Sequence, residues 1–159
     1  MNNKFASFAA DVSAPYKVEL IDPVTEEVIR DKNGSAAFIC IWAADSEKSR
    51  EYDKQKRKDL ILQVKRSRTG KVEQDDALDA NIAKCAFLTE SWYLVDRVTL
   101  EPIDVPCTAE NAADLYSPPG MGWIFLQPWV EANNPANFLQ KPSKPSVTSP
   151  KVNSAQAES

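Results

Sequence analysis

The sequence contains no histidine among its 159 residues. Histidine is the side chain most used for proton transfer near neutral pH and for binding transition metals, so a Cys–His nucleophile is excluded. Glycine is scarce as well, and the four glycines form neither a phosphate-binding loop nor a GxSxG nucleophile motif. We therefore expect a protein that is not an enzyme, with no catalytic residue, no metal and no cofactor.

Paired cysteine motifs are also missing. The three cysteines, Cys40, Cys85 and Cys107, are odd in number and show no CxxC spacing, which argues against a disulfide framework or a zinc site. No apolar run approaches the roughly 20 residues that a membrane helix needs. The first residues lack the apolar core of a signal peptide, so we expect no membrane association and residence in the cytoplasm.

What is present is the composition of an ordinary globular domain, 43% hydrophobic and 26% charged, with a net charge of −4. The length is that of one domain with a modest core. Residues 1–15 are predicted to form an N-terminal arm and residues 16–139 a single α+β domain. Ser, Pro and Lys dominate residues 140–159, which have too little apolar surface to bury and are predicted to be a disordered tail.

The first part of the domain, residues 16–44, is predicted to be a small antiparallel β-meander. Apolar residues alternate with charged ones over 16–21, which is the period of a half-buried strand. An Asp-Pro turn leads to a short strand over 27–30, and an Asn-Gly pair marks the next turn. Residues 35–44 are the most apolar, so we expect a central strand with both faces covered.

The second part, residues 45–139, is predicted to be mainly helical. An Asp-Ser pair starts a helix over 46–67, whose apolar anchors are Tyr52, Leu60, Ile61 and Val64. A second helix is predicted from Asp75 or Asp76 to about Val95. Five residues fall on one face of that helix at a spacing of four, three, four and three: Leu78, Ile82, Cys85, Thr89 and Trp92.

Residues 108–139 contain the best candidate for a docking surface. A short helix capped by Thr108 is followed by a break at 117–120 and by a helix over 121–133 that Pro128 kinks. Candidate contacts on the second helix are Trp123, Ile124, Leu126 or Gln127, and Val130. Aromatic side chains are enriched at interface hot spots, although burial in the core is their commoner fate. The candidate partner-binding residues are Tyr116, Trp123, Phe125, Trp129 and Phe138.

A basic run covers residues 48–68, with nine cations against three anions. Clustered cations displace counterions from nucleic acid, so one hypothesis is a small nucleic-acid-binding or regulatory protein. The acidic net charge and the lack of aromatics other than Tyr52 favour a solvated helix face that attracts acidic proteins, which makes nucleic acid the less favoured partner. The acidic pairs Glu26-Glu27 and Asp75-Asp76 lie in a turn and at a helix start, where carboxylates are expected without any metal.

The order of these elements resembles that of phage tail assembly chaperones of long-tailed (siphovirus-type) phages, over residues 16–139. In that family a small β unit carries an "aDPvTge" turn, which stands here as LIDPVTEE at residues 20–27. A charged helix after Asp45-Ser46 and a helix ending near Trp92 also match. The family's C-terminal pattern is Thr-x-Glu-Asn, then Leu, a Trp segment and Ala-Asn-Phe-Leu, here Thr108, Glu110-Asn111, Leu115-Tyr116, residues 123–130 and residues 136–139.

The resemblance implies a nonstructural assembly factor in the host cytoplasm. Such a chaperone coats the tape measure protein, keeps it soluble and recruits subunits of the tail tube protein, with amphipathic faces that hold helical segments of the partner. Pro118-Pro119-Gly120 and Pro128 depart from the family, in which this segment is more often an unbroken helix. Self-association stays open, and a further alternative is a structural tail or head-completion subunit.

Overall fold

The computed structural model describes residues 4–67 and 76–140. Within those residues the chain forms a four-stranded antiparallel sheet and four α-helices, so the predicted α+β class is confirmed. Short 3-10 helices lie at Ala6–Phe8, in the predicted arm, and at Pro135–Asn137. The predicted disordered tail lies outside the described residues apart from Gln140.

The sheet has the strand order β1-β2-β3-β4, with every neighbouring pair antiparallel. Val18 lies opposite Ile39, and Ile39 lies opposite Trp92 on the next strand, so these three side chains share a face. β1 is an edge strand and β2 is internal, as predicted for the most apolar segment. The strands are β1 Tyr16–Glu19, β2 Phe38–Ile41, β3 Thr89–Val95 and β4 Pro102–Ile103.

The predicted meander is only partly formed. Residues 27–30 make isolated bridges, Ile21 with Val28 and Arg30 with Ala36, and do not form the predicted strand. β3 and β4 complete the sheet from the part of the chain that was predicted to be mainly helical, so the sheet extends beyond residues 16–44. The reason is that β2 needs a hydrogen-bonding partner on both sides, and the second partner comes from far along the chain.

The four helices begin where the sequence predicts. Ser46, Asp76 and Thr108 each accept a hydrogen bond from a backbone N–H of the first turn, and each therefore caps its helix. The break at 117–120 separates the last two helices, and the helix after the break continues through Pro128. The helices are α1 Glu47–Arg66, α2 Ala77–Leu88, α3 Ala109–Tyr116 and α4 Gly122–Ala132.

The predicted helix that ends near Val95 ends in the structure at Leu88, and the chain passes directly into β3. Thr89 and Trp92 therefore do not belong to a helix face. The following sequence TESWYLV is rich in aromatic and β-branched residues, which pack well on a sheet. Pairing with β2 decides the outcome, because it satisfies backbone groups that the helix would otherwise have satisfied.

The second half of α1 differs from its prediction. Leu60, Ile61 and Val64 were predicted to anchor the helix, yet their exposed fractions are 41%, 54% and 44%. Ser49 is the buried residue of this helix, and the half-buried Tyr52 packs its ring on Phe87 at 4.9 Å between centroids. The helix thus rests on the domain through its first two turns and continues past the surface that it packs on.

The core lies between the sheet and three helices. α4 packs on β1 and β2, α2 packs on β3, and α3 packs on both of those helices. The predicted cover on both faces of β2 is incomplete, because Ile39 and Ile41 are buried whereas Phe38 and Cys40 are half-buried. The largest buried core residues include Leu20, Ile39, Ile41, Cys85, Leu88, Tyr116 and Pro128.

Two turns share one geometry, although their sequences are 74 positions apart. Residues 22–27 (DPVTEE) and 96–101 (DRVTLE) both have the pattern Asp-x-Val-Thr-x-Glu. In each turn the first residue donates its N–H to the carbonyl of the sixth, and the fifth donates to the carbonyl of the first. The fifth residues, Glu26 and Leu100, both have φ of 61°. Arg97 joins the two turns, because its Nε donates to Oδ2 of Asp22 at 2.8 Å.

Candidate partner-binding surface

α4 carries apolar side chains around most of its circumference, apart from a strip formed by Gln127 and Glu131. Its sequence GWIFLQPWVEA contains two side chains with polar groups beyond the indole, Gln127 and Glu131. The inner face is buried and consists of Ile124, Phe125, Pro128 and Ala132. At about 100° per residue, the opposite face carries Trp123, Leu126, Gln127 and Val130. Trp123, Leu126 and Val130 therefore give α4 an apolar outer face in addition to its buried inner face.

The outer face of α4 borders a groove of about 440 Å³. The opposite wall comes from β1 and the turn after it, with Ile21 and Pro23 facing the helix. Three aliphatic side chains around the groove are well exposed: Ile21 at 45%, Leu126 at 52% and Val130 at 57%. The lining residues are Val18, Glu19, Ile21, Pro23, Trp123, Leu126, Gln127, Val130 and Glu131. We refer to this set as the α4 groove.

Gln127 holds the two walls of the α4 groove together. Its side-chain oxygen accepts the backbone N–H of Ile21 at 2.8 Å, and its side-chain nitrogen donates to the carbonyl of Ile21 at 2.8 Å. One amide thus satisfies both backbone groups of a residue at the open edge of the sheet. The groove is therefore preformed, and a partner need not order its walls upon binding.

The electrostatic character of the α4 groove is set by two carboxylates at its rim, Glu19 and Glu131. The centre of the groove is aliphatic and indole surface. A complementary ligand would present apolar side chains to the centre and a cation or hydrogen-bond donor to the rim. An amphipathic helix with basic flanks has this chemistry, and such segments dock into apolar grooves through side chains spaced three and four residues apart.

The five aromatic residues predicted to bind a partner fall into two groups. Tyr116, Phe125 and Phe138 have exposed fractions of 1%, 3% and 7%, so a partner cannot reach their side chains in this structure. Trp123 lines the α4 groove, and the half-buried Trp129 stacks on Phe125 with centroids 5.9 Å apart. The structure therefore leaves Trp123 and Trp129 as accessible candidates and places the other three in packing roles.

Tyr116 has a polar role inside the core. Its hydroxyl lies 2.8 Å from Oγ1 of Thr89, whose hydroxyl lies 2.8 Å from the carbonyl of Cys85. Burial raises the pKa of the Cys85 thiol to about 12 and raises the pKa of Tyr116 far above its usual value. Both groups stay neutral at physiological pH, so this cluster joins α2, β3 and α3 and offers no activated nucleophile.

The wall of the groove formed by β1 and the turn after it was not among the sequence-based candidates, and neither was Glu131. Ile21 carried a signal, because it breaks the alternation in which Tyr16, Val18 and Leu20 point inward. An apolar residue out of phase with its strand must face outward, unless the strand is covered on both sides. Leu126 and Val130 were predicted as contacts of the helix, and the structure assigns both to its outer face.

Other classes of site find little support in the part of the chain that the structure describes. Within residues 4–67 and 76–140 no group of three or more His, Cys, Asp or Glu side chains could hold a metal ion. No described helix combines the length and the apolar character needed to cross a bilayer. No family model, curated protein or solved structure matches this chain. The fold is that of an α+β protein with a preformed groove between α4 and β1.

Proposed function

We propose that this chain is a noncatalytic phage tail assembly chaperone of the host cytoplasm, which binds the tape measure protein and helps to recruit subunits of the tail tube protein. The observation that carries the proposal is the exposed apolar face of α4 beside a preformed groove. A tape measure protein is a long helical chain that needs its apolar faces covered before assembly. The α4 groove can cover one such face at a time.

The size of the groove suits reversible binding. Full burial of an exposed aliphatic side chain contributes roughly 1.5–3 kcal/mol. Because Ile21, Leu126 and Val130 are already about half-buried, covering them contributes on the order of 2–5 kcal/mol before costs. Association costs roughly 4–15 kcal/mol in lost translational and rotational freedom. The difference supports only weak binding at one site. A chaperone that must leave before the particle is finished benefits from such weak contacts, which act in number along a long partner.

The first turn supports the family resemblance on which this proposal rests. In the family pattern "aDPvTge" the glycine falls at the position of Glu26. That residue has φ of 61°, a left-handed conformation that glycine adopts without strain. The backbone here is therefore the one that the family's glycine would favour, although this chain has glutamate.

The test is co-expression of the full chain with the tape measure protein of the same phage. We expect the soluble fraction of the tape measure protein to rise several-fold and the two proteins to co-purify. The double variant Leu126→Asp/Val130→Asp should lose both effects, because two charges would line the groove. Val98→Asp is the matched control, since Val98 is 85% exposed and lies in the turn between β3 and β4.

Circular dichroism and thermal unfolding should show that both variants stay folded, because the substituted side chains are exposed. An equal loss of co-purification in Val98→Asp would remove the groove from the proposal. If the unsubstituted chain neither binds nor solubilises the tape measure protein, the proposed chaperone function is wrong. Persistence of the protein in purified virions would favour a structural tail subunit.

A further inference from the structure

The second half of α1 is a helix that the described part of the domain does not cover. The first half is held on α2, because Nζ of Lys84 lies 3.1 Å from Oδ1 of Asp53 and the Tyr52 ring packs on Phe87. Residues 54–66 are all exposed. At 1.5 Å per residue, these 13 positions extend for about 20 Å. We call residues 54–66 the α1 extension.

The α1 extension carries a narrow apolar seam. Leu60, Ile61 and Val64 lie within about 100° of arc on the helix, since positions one and four residues apart are rotated by about 100° and 40°. All three are more than 40% exposed. Leu62 is also exposed, at 48%, but it lies about 200° from Leu60, on the back of the helix. A seam of this width is typical of helix–helix pairing, whereas a helix lying in a core has a broader apolar face.

Strong positive charge surrounds this seam. The α1 extension contains six cations and one anion, Asp59, for a net charge of +5. Since the whole chain has a net charge of −4, all other residues together carry −9. On the helix, Lys54, Lys58 and Lys65 border the seam on the side of Ile61, and Lys56 borders it on the other side. Arg57 lies in line with the seam, one turn before it, and marks its N-terminal end.

We propose that the α1 extension binds an acidic amphipathic helix of another protein. Leucine-type side chains of that helix would pack on Leu60, Ile61 and Val64, and its flanking carboxylates would pair with the bordering lysines. Apolar seams with charged borders select their partner in this way, because the borders set charge and orientation. The surface is separate from the α4 groove, so this proposal stands or falls independently of the chaperone function.

Charge and shape favour this occupant over three others. A second copy of the α1 extension would place a net charge of +5 beside another net charge of +5, and the two helices would repel each other. Nucleic acid would meet an apolar seam in the centre of the cationic face, where phosphate contacts are needed. A membrane-surface helix needs a broad apolar face, whereas this seam consists of three residues within about 100° of arc.

The test measures binding of a fluorescent three-heptad peptide to the full chain. The peptide has Leu at positions a and d and Glu at e and g, and a matched peptide has Lys in place of each Glu. We expect the Glu peptide to bind at least about tenfold more tightly than the Lys peptide, with weaker binding at about 0.5 M salt. The triple variant Leu60→Ser/Ile61→Ser/Val64→Ser should lose at least about tenfold in affinity for the Glu peptide.

Leu62→Ser is the control, because it makes the same chemical change on the back of the same helix and should leave affinity unchanged. Circular dichroism of each variant checks that α1 stays helical. Equal affinity for both peptides, no binding of the Glu peptide, or an equal loss in Leu62→Ser would overturn the proposal. Tighter binding of a DNA duplex, or of vesicles of phosphatidylcholine and phosphatidylserine, would also overturn it in favour of that ligand.

Discussion

At the scale of single residues, Thr89 decides how three elements meet. It caps the end of α2, begins β3 and contacts α3 through the Tyr116 hydroxyl. Thr89 is 8% exposed and Tyr116 is 1% exposed, so their hydroxyl groups cannot exchange these hydrogen bonds for water. A substitution that leaves a polar group buried without a hydrogen-bond partner costs more free energy than a substitution that removes the polar group itself.

This asymmetry predicts different effects for the two ends of the same hydrogen bond. Tyr116→Phe should lower the free energy of unfolding by about 1 kcal/mol, because Thr89 keeps its bond to the Cys85 carbonyl. Thr89→Val should lower it by about 2 kcal/mol, because the Tyr116 hydroxyl is then left buried without that oxygen. Urea unfolding of both variants measures the difference. An equal or larger cost for Tyr116→Phe would contradict the proposed order.

At the scale of elements, the paired Asp-x-Val-Thr-x-Glu turns show a local sequence that specifies a local shape. In both turns the aspartate side chain accepts the backbone N–H two residues on, at 2.8 Å. In both turns the threonine hydroxyl accepts the N–H of the final glutamate at 3.3 Å. The two turns differ at the second and fifth positions, and at the fifth a non-glycine residue is held at positive φ in both. Left-handed backbone at such a residue costs roughly 1–2 kcal/mol.

Relief of this strain predicts that Glu26→Gly is neutral or stabilises the protein by up to about 1 kcal/mol. Glycine adopts positive φ without a steric cost, and this offsets its extra entropy in the unfolded chain. Glu27→Gly is the matched control, because the same change one residue later brings only the entropy cost of roughly 0.5–1 kcal/mol. Thermal unfolding of both variants provides the comparison. A Glu26→Gly protein less stable than Glu27→Gly would exclude strain at Glu26.

At the scale of the whole molecule, aspartates tie separate parts of the chain together. The Asp22 carboxylate accepts hydrogen bonds from Arg97, which hold the pKa of Asp22 below its usual value. Asp31 accepts a hydrogen bond from the Tyr93 hydroxyl, which lowers the pKa of Asp31. Backbone N–H groups of its own turn lower the pKa of Asp96. All three carboxylates are therefore stabilised in the charged form by the fold.

A depressed carboxylate pKa predicts acid sensitivity with a definite sign. The stabilisation is fully present above the unfolded-state pKa of about 4 and is lost as pH falls through the folded-state values below it. The free energy of unfolding should therefore decrease from about pH 5 downward, and Asp22→Asn should make that decrease shallower. Urea unfolding between about pH 2.5 and 7 measures both slopes. Asp114→Asn, at an exposed position of α3, is the control, and an equal change of slope there would contradict the assignment to Asp22.

Much of the candidate site could not be predicted, because burial is a property of the assembled molecule. The sequence marks residues 108–139 as rich in aromatics but does not say which side of α4 meets the sheet. Phe125 and Trp123 differ by about 200° around the helix, and only packing on β1 and β2 assigns one to the core and the other to the groove. Ile21 became part of the same surface only because Gln127, 106 positions later, bonds to its backbone.

What the sequence determined by itself is local. Three helices start at Ser46, Asp76 and Thr108 because the side-chain oxygen of each residue accepts a backbone N–H within the next three residues. The break at 117–120 follows from its prolines and glycine. Only the tertiary structure decided that Thr89–Val95 is a strand and that no element within residues 4–67 and 76–140 covers the α1 extension. The backbone pairing of β3 with β2 joins residues about 50 positions apart, so a short stretch of sequence does not predict it. The burial of a helix depends on every element around it, so the helix sequence alone does not predict that either.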